Sequence, residues 1–217
     1  MQRRPRHSPE QTRKEILAAA EAQFQLYGYA RMNMQGLAKS IGMSPATVHK
    51  YFHSKQGLAE AVCGIMLSRY VAYIESRLVM DEGTEVAFDR FAIAILEYNS
   101  SNTYLTPEIF ELYVSAAQQD WVVFREFRAQ VVKLLREVLE EGVRRNDVRP
   151  SAVADVEQVF DSFASIMHPL LVRDFPQEAT VRAHRLARLI FQAVRTNGCP
   201  PSEKAAPPGS CAALSSG

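Results

Sequence analysis

The 217-residue chain holds only three cysteines, Cys63, Cys199 and Cys211. The number is odd and no two stand at C-x-x-C spacing, which argues against a disulfide framework and for a reducing, cytoplasmic setting. Long apolar runs are missing: the longest unbroken one is Phe91–Leu96, far short of the roughly 18 residues that a membrane span needs. Arg3, Arg4 and Arg6 make the N-terminus basic, but no apolar stretch follows them, so a secretory leader is not expected. Glycine (10) and proline (11) are few and without period, which excludes a collagen-like or low-complexity chain. No stretch sustains the polar–apolar alternation of a strand.

What is present is ordinary in bulk and uneven in distribution. Hydrophobic residues make up 47% and charged residues 23%, as in a soluble globular protein. Within residues 1–55, nine Lys and Arg stand against three Glu, a surplus of six; the rest of the chain carries a deficit of five. A basic first quarter on an acidic body suits two different partners, one of them polyanionic.

Helical periodicity runs through the chain. Ile16, Leu17, Ala20, Phe24 and Tyr27 form one stripe that ends at Gly28. Asn33 caps a short helix over 34–41, which Gly42 stops. Ser44 with Pro45 behind it opens a second short helix to Tyr51. Ser54 opens a helix to about Met80, Thr84 one to Asn99, and Thr106-Pro107 one to Gln118. A long amphipathic helix spans Trp121–Asn146. An eighth runs from Ser151 to about Asp174, kinked by Pro169, and a ninth from Gln177 to Asn197. The expectation is an all-α fold of about nine helices. Residues 198–217, rich in Pro, Gly, Ala and Ser and without an aromatic, read as a disordered tail.

Residues 35–51 fit a helix-turn-helix. Two short helices that cross closely need a small residue on the first, supplied by Ala38, and a turn residue that accepts positive φ, supplied by Gly42. Leu37, Ile41, Met43, Val48 and Tyr51 supply the buried flank. Ser44, Ala46, Thr47, His49 and Lys50 face outward, as on a helix that enters the major groove with its N-terminal end at the base edges.

With Phe24…Gly28, Leu37-Ala-Lys-Ser-Ile-Gly-Met-Ser44, Val48-His-Lys-Tyr-Phe-His-Ser-Lys55 and Leu58, residues 12–62 resemble the DNA-binding domain of TetR/AcrR-type transcriptional regulators. The resemblance implies a nine-helix, two-domain homodimer, with DNA bound by the first three helices and a small effector by the rest. It places Ser44, Pro45, Ala46 and Thr47 at the groove-facing start of the recognition helix and makes Lys50 a base or phosphate contact. His49, Tyr51 and Lys55 meet phosphates, with Arg31 and Asn33 beside them. Position 49, most often Tyr in the family, is His here. The arm with Arg3, Arg4 and Arg6 reads equally as a minor-groove contact or as a solvated tail.

Other constellations are weaker. His49 and His53 have the i, i+4 spacing of two metal ligands, but no Cys or carboxylate stands nearby in sequence, so no metal is expected. Cys63 lies beside Val62 and Ile65 and reads as core. Nucleotide-binding and nucleophile motifs are absent, and neither enzyme activity nor a cofactor is expected. Tyr70, Tyr98, Tyr113, Phe124, Phe163 and His168 are candidates for an effector pocket among helices four to eight. Val181, Leu186, Leu189, Ile190, Ala193 and Val194 stripe the ninth helix; with the eighth it can form an intermolecular four-helix bundle.

The expected organisation is a DNA-binding domain over 1–55, an effector-binding and dimerisation domain over 56–197, and the tail. The expected function is a cytoplasmic repressor released from a palindromic operator by a small hydrophobic effector, without contact with a membrane. The competing readings are a helical binding protein for small molecules and an effector-independent DNA-binding regulator acting through a protein partner.

Overall fold

Side-chain caps set where the helices begin. In a computed structural model that describes residues 8–100, 106–167 and 176–196, Ser8 Oγ accepts from the Gln11 N–H and opens α1 (Pro9–Arg31). Asn33 Oδ1 accepts from Gly36 N at 2.7 Å and opens α2 (Met34–Ser40). Ser44 Oγ accepts from Thr47 N at 3.1 Å and opens α3 (Pro45–Tyr51). Ser54 caps α4 (Lys55–Arg77) through Gly57 N, and Thr106 caps α6 (Pro107–Gln118) through Ile109 N. Each oxygen satisfies one of the N–H groups that a helix start leaves unpaired. Between the last two lies α5 (Thr84–Ser100), and α7 (Val122–Arg144) follows.

Helix ends use the left-handed region. Gly28 sits at φ +75 inside the span of α1, so the stripe ends there and one further turn carries the chain to Arg31. Gly42, Asp120 and Asn146 hold φ of +63, +52 and +60 after α2, α6 and α7. Each is followed by the same bond back into the helix: Met43 N to Ala38 O, Trp121 N to Ala116 O, and Asp147 N to Gly142 O. This is the Schellman closure, and Asp and Asn tolerate its left-handed position better than most side chains.

The segment expected as one helix from Ser151 to about Asp174 is broken over its described residues, 151–167, into α8 (Ser151–Ala154), α9 (Val156–Asp161) and α10 (Ala164–Met167). Phe163 N and Ile166 N bond three residues back, to Phe160 O and Phe163 O, and Ser162 Oγ takes up the Gln158 carbonyl. These tighter turns compete with the α-helical ladder and break it. With α11 (Pro176–Val194), the described residues hold eleven helices rather than nine, and no strand. His168, Pro169, Arg3, Arg4, Arg6 and the residues from 198 onward lie outside the described residues.

Two hydrophobic clusters organise the packing. The first joins Ile16, Leu17, Phe24, Leu37, Val48 and Leu58 of α1–α4 to Ile109, Leu112 and Ala116 of α6 and to Trp121. The second joins the far half of α4 to α5, α7 and the helices after it, with Phe88, Phe91, Leu135 and Phe163 fully buried. Helix α4 has the length and apolar content of a membrane span, but about half of that stretch is buried within the fold, as in a core helix.

Gly142 sits where α7 meets the chain that follows it. A β-carbon there would stand 2.5 Å from Val148 Cγ2 and 2.7 Å from Thr84 Cγ2. Both neighbours are buried and β-branched, and Thr84 is anchored by its hydroxyl to Asp147 Oδ2. Alanine gains about 1 kcal/mol of helix propensity over glycine, while overpacking costs about 1–3 kcal/mol. Gly142→Ala is therefore expected to lower unfolding free energy; an unchanged or raised denaturation midpoint would mean that the wall yields.

Candidate nucleic-acid interface and ligand cavity

Helices α2 and α3 meet at Ala38, which is fully buried with Leu37 and Val48. Gly42 turns the chain with open space around it, so its requirement is conformational and not steric. Ser44, Pro45, Ala46, His49 and Lys50 are exposed, Thr47 and Tyr51 partly so. Ser44 and Thr47 share a hydroxyl–hydroxyl bond at 2.9 Å, which closes the first turn of α3 while leaving its outer surface open. Gln23 Nε2 donates to Ser40 Oγ at 3.0 Å, tying α2 to α1. Arg13 lies over the ring of the buried Phe52, just past α3. Arg31 is exposed, and the Asn33 side-chain oxygen caps α2.

Lys55 is turned inward. Its Nζ donates to Ala30 O at 3.0 Å and lies 4.8 Å from the Tyr29 ring centre. Burial pulls its ammonium below the usual lysine value, against the opposing pull of Glu111. Tyr29 in turn meets Trp121 edge-on at 5.7 Å. The α1–α2 turn is thus held between the start of α4 and the α6–α7 corner. Arg69 on α4 adds a two-pronged contact to Glu21 on α1, at 2.5 and 3.1 Å.

A cavity of about 370 Å³ opens between α4, α6, α7 and the end of α10, within the range of small-molecule sites. Tyr70, Tyr113 and Phe124 line it, as expected. Tyr98 and Phe163 are not in its wall. Tyr98 stacks on Tyr70 with ring centres 4.1 Å apart and donates its hydroxyl to Met66 O, and Phe163 packs on Phe91. His168 lies outside the described residues. The wall also takes Asn99, Phe110, Phe127, Arg128 and Phe160, which the sequence reading passed over. Asn99 carried a signal: it follows Phe91 and Ile95 at steps of four on an apolar face. Its Nδ2 donates to Ile166 O at 3.1 Å and Met167 O at 3.2 Å, closing the end of α10. Burial pushes the pKa of Tyr70 up, and the same amide lowers it against that larger push.

Arg128 bonds Glu157 at 2.7 Å and Asp161 at 3.0 Å and covers the Phe160 ring. Tyr113 is 9% exposed, and its hydroxyl is buried without a hydrogen-bond partner. Burial pushes that hydroxyl well above the ordinary tyrosine value, with further contributions from Tyr98, Cys63 and Tyr70. Cys63 is fully buried, and its thiol is pushed up to about 12 by desolvation first and Glu60 second; a thiol so raised is a core group. Among the described residues no three His, Cys, Asp or Glu stand close enough to hold a metal ion.

Residues 16–62 match the family described as bacterial regulatory proteins, tetR family, and residues 88–190 match the tetracyclin repressor-like C-terminal domain. The chain belongs to the TetR family and is a DNA-binding transcriptional regulator; proteins of this family are transcription factors, not enzymes. A curated relative, the uncharacterized HTH-type transcriptional regulator YhgD of Bacillus subtilis (strain 168), is 24% identical over 148 residues, 64% of this chain and 72% of that protein. A TetR transcription regulator from Haloarcula marismortui superposes with a TM-score of 0.69 at 21% identity, over 86% of this chain and all of that one. The fatty acid degradation regulator FadR of Bacillus halodurans does so with a TM-score of 0.62 at 17% identity, over 86% and 96%. At these identities the two structures bear on the fold alone.

The turn itself yields a measurement. With φ at +63 and no neighbour to clash with, Gly42→Ala is expected to cost about 1–2 kcal/mol from the backbone, and Gly42→Asn distinctly less. Equal losses in chemical denaturation would mean that the position does not hold its left-handed conformation.

Proposed function

We propose that the chain is a repressor that binds a palindromic operator as a homodimer and is released by a small molecule held in the cavity. One observation carries this reading: α6 supplies Phe110, Tyr113, Val114 and Ala117 to the cavity wall while Ile109, Leu112 and Ala116 pack into the cluster that supports α2 and α3. The same helix is wall to one site and support to the other. On this reading residues 1–55 bind DNA and residues 56–197 bind effector and dimerise.

The exposed first turn of α3, Ser44–Thr47, meets base edges, and Lys50 a base or phosphate. His49 and Tyr51 meet the backbone, with Arg31 and Asn33 at its margin. Lys55 braces the α1–α2 turn as it stands; reaching a phosphate requires it to leave Tyr29. Dimerisation uses the outer face of α11, where Val181 is 50% and Leu189 69% exposed, beside a groove floored by Leu96, Ile166 and Leu186. Large exposed aliphatic residues aligned on one helix suit a self-complementary two-fold contact.

Anisotropy titrations with the DNA upstream of the chain's own gene test the reading. Lys50→Ala is expected to lower the salt slope by about 1 for each phosphate it no longer meets and to relax preference at one position in each half-site. Equal loss on all sequences would reduce Lys50 to a backbone contact. Leu189→Arg is expected to sediment as a monomer and to lose operator affinity. A monomer that still binds the palindrome tightly would overturn the dimer.

A further inference from the structure

We infer that the cavity takes an uncharged, largely apolar, compact molecule that carries a carbonyl-type hydrogen-bond acceptor, and that Tyr113 selects it. The inference rests on the cavity being the effector site and names the chemistry of its ligand. Of the polar groups in the wall, Asn99 closes two carbonyls at the end of α10, Arg128 holds two carboxylates, and the Tyr70 hydroxyl is not among the buried groups without a partner. Among the described residues only the Tyr113 hydroxyl is buried without a partner. Native folds seldom leave such a group unpaired; it is covered in the ligand-free fold, so a ligand atom reaches it by displacing a wall neighbour and gains the bond that the empty site lacks. Burial raises the pKa of this phenol, so it keeps its proton and donates. The matching ligand atom is therefore an acceptor.

Charge narrows the class further. Arg128 is the one cationic residue in the described wall, and Glu157 and Asp161 already neutralise it. A ligand carboxylate would be desolvated beside a guanidinium whose charge those two acids already offset. A ligand cation fares no better, because no acidic residue is among the described residues of the wall and a neutral phenol oxygen is no counter-ion for it. The aromatic wall of Phe110, Phe124, Phe127 and Phe160 suits a planar body, and the cavity of about 370 Å³ suits a molecule of two fused rings.

Calorimetric titration of the full chain without DNA tests this with four matched probes: 2-acetylnaphthalene, 2-ethylnaphthalene, 2-naphthoate and 2-naphthyltrimethylammonium. The ketone is expected to bind tightest, the ethyl compound about ten-fold more weakly, and both ions more weakly still. Tyr113→Phe is expected to bring the ketone down to the ethyl compound, to leave the ethyl compound unchanged, and to keep the ligand-free thermal midpoint at or above that of the native chain. Naphthoate or the ammonium binding as well as the ketone, equal losses for ketone and ethyl compound in Tyr113→Phe, or no binding by any probe would overturn the proposal. These isotherms are read without DNA, so their failure leaves operator binding standing, and a failure to bind an operator leaves them unaffected.

Discussion

Helix α6 approaches the end of α1 so closely that a β-carbon on Gly28 would stand 3.0 Å from Glu111 Oε2 and 3.7 Å from Glu108. Gly28 is also left-handed, at φ +75, so the backbone favours glycine here, whereas the nearest atom is the end of a flexible side chain that can swing aside. From this approach the rest of the DNA-proximal half takes its place. The chain leaving Gly28 brings Tyr29 onto Trp121 and the Ala30 carbonyl onto Lys55. It then enters the Asn33 cap of α2. The helix-turn-helix is therefore carried on a three-way junction of α1, α4 and the α6–α7 corner rather than on a linker.

The junction and the cavity share walls. Helix α4 runs from Lys55 at the junction to Tyr70 in the cavity, about 22 Å at 1.5 Å per residue, and Phe127 packs against both hydrophobic clusters. In the proposed mechanism a ligand acts only through its preference for one arrangement of these helices over another. Couplings of about 1–3 kcal/mol are typical, the same order as a single buried hydrogen bond or a partly buried side chain. The effector need not remodel the fold; a preference of that size at α6 is sufficient, and DNA must oppose ligand by the same factor.

The sequence disclosed what is decided locally. Ser44-Pro45, Ser54 and Thr106-Pro107 cap where expected because a cap depends on residues three apart. Gly42 is legible for the same reason. Gly28 is legible as a helix end, but its deeper cause, the approach of α6, is not, because Glu108 and Glu111 lie some eighty residues on in the chain. The breaks near Asp155 and Ser162 escaped because the apolar spacing of Ala152, Val156, Phe160 and Phe163 suits one helix as well as three short ones. Tyr98 and Phe163 were misplaced for a related reason. On helices buried around most of their circumference, a stripe shows that a residue faces inward but not which interior it faces. Tyr113 stood out correctly as a polar residue in an apolar stretch, yet only the three-dimensional structure shows its hydroxyl to lack a partner.

Whether a displacement of α6 would be absorbed or passed on depends on the corner that follows it. That corner is short and heavily tied. Trp121 N bonds Ala116 O, Gln119 N bonds Ser115 O, and Arg125 reaches back to both the carbonyl and the carboxylate of Asp120. Asp120 holds a left-handed backbone that most residues resist, and the ties around it oppose relaxation to another conformation. A flexible loop here would let α6 move while Trp121 stayed with α7. The tied corner instead makes Trp121 follow α6, and Tyr29 rests on Trp121. On the other side Gly28 carries the left-handed turn of α1 past Glu108 and Glu111 of α6. Rigid elements packed closely transmit small shifts because packed interfaces do not deform continuously. The α6–α7 corner and the α1–α2 turn are therefore constrained to shift together, so that on the proposed function the junction, rather than a hinge within either half, is where ligand and operator would compete.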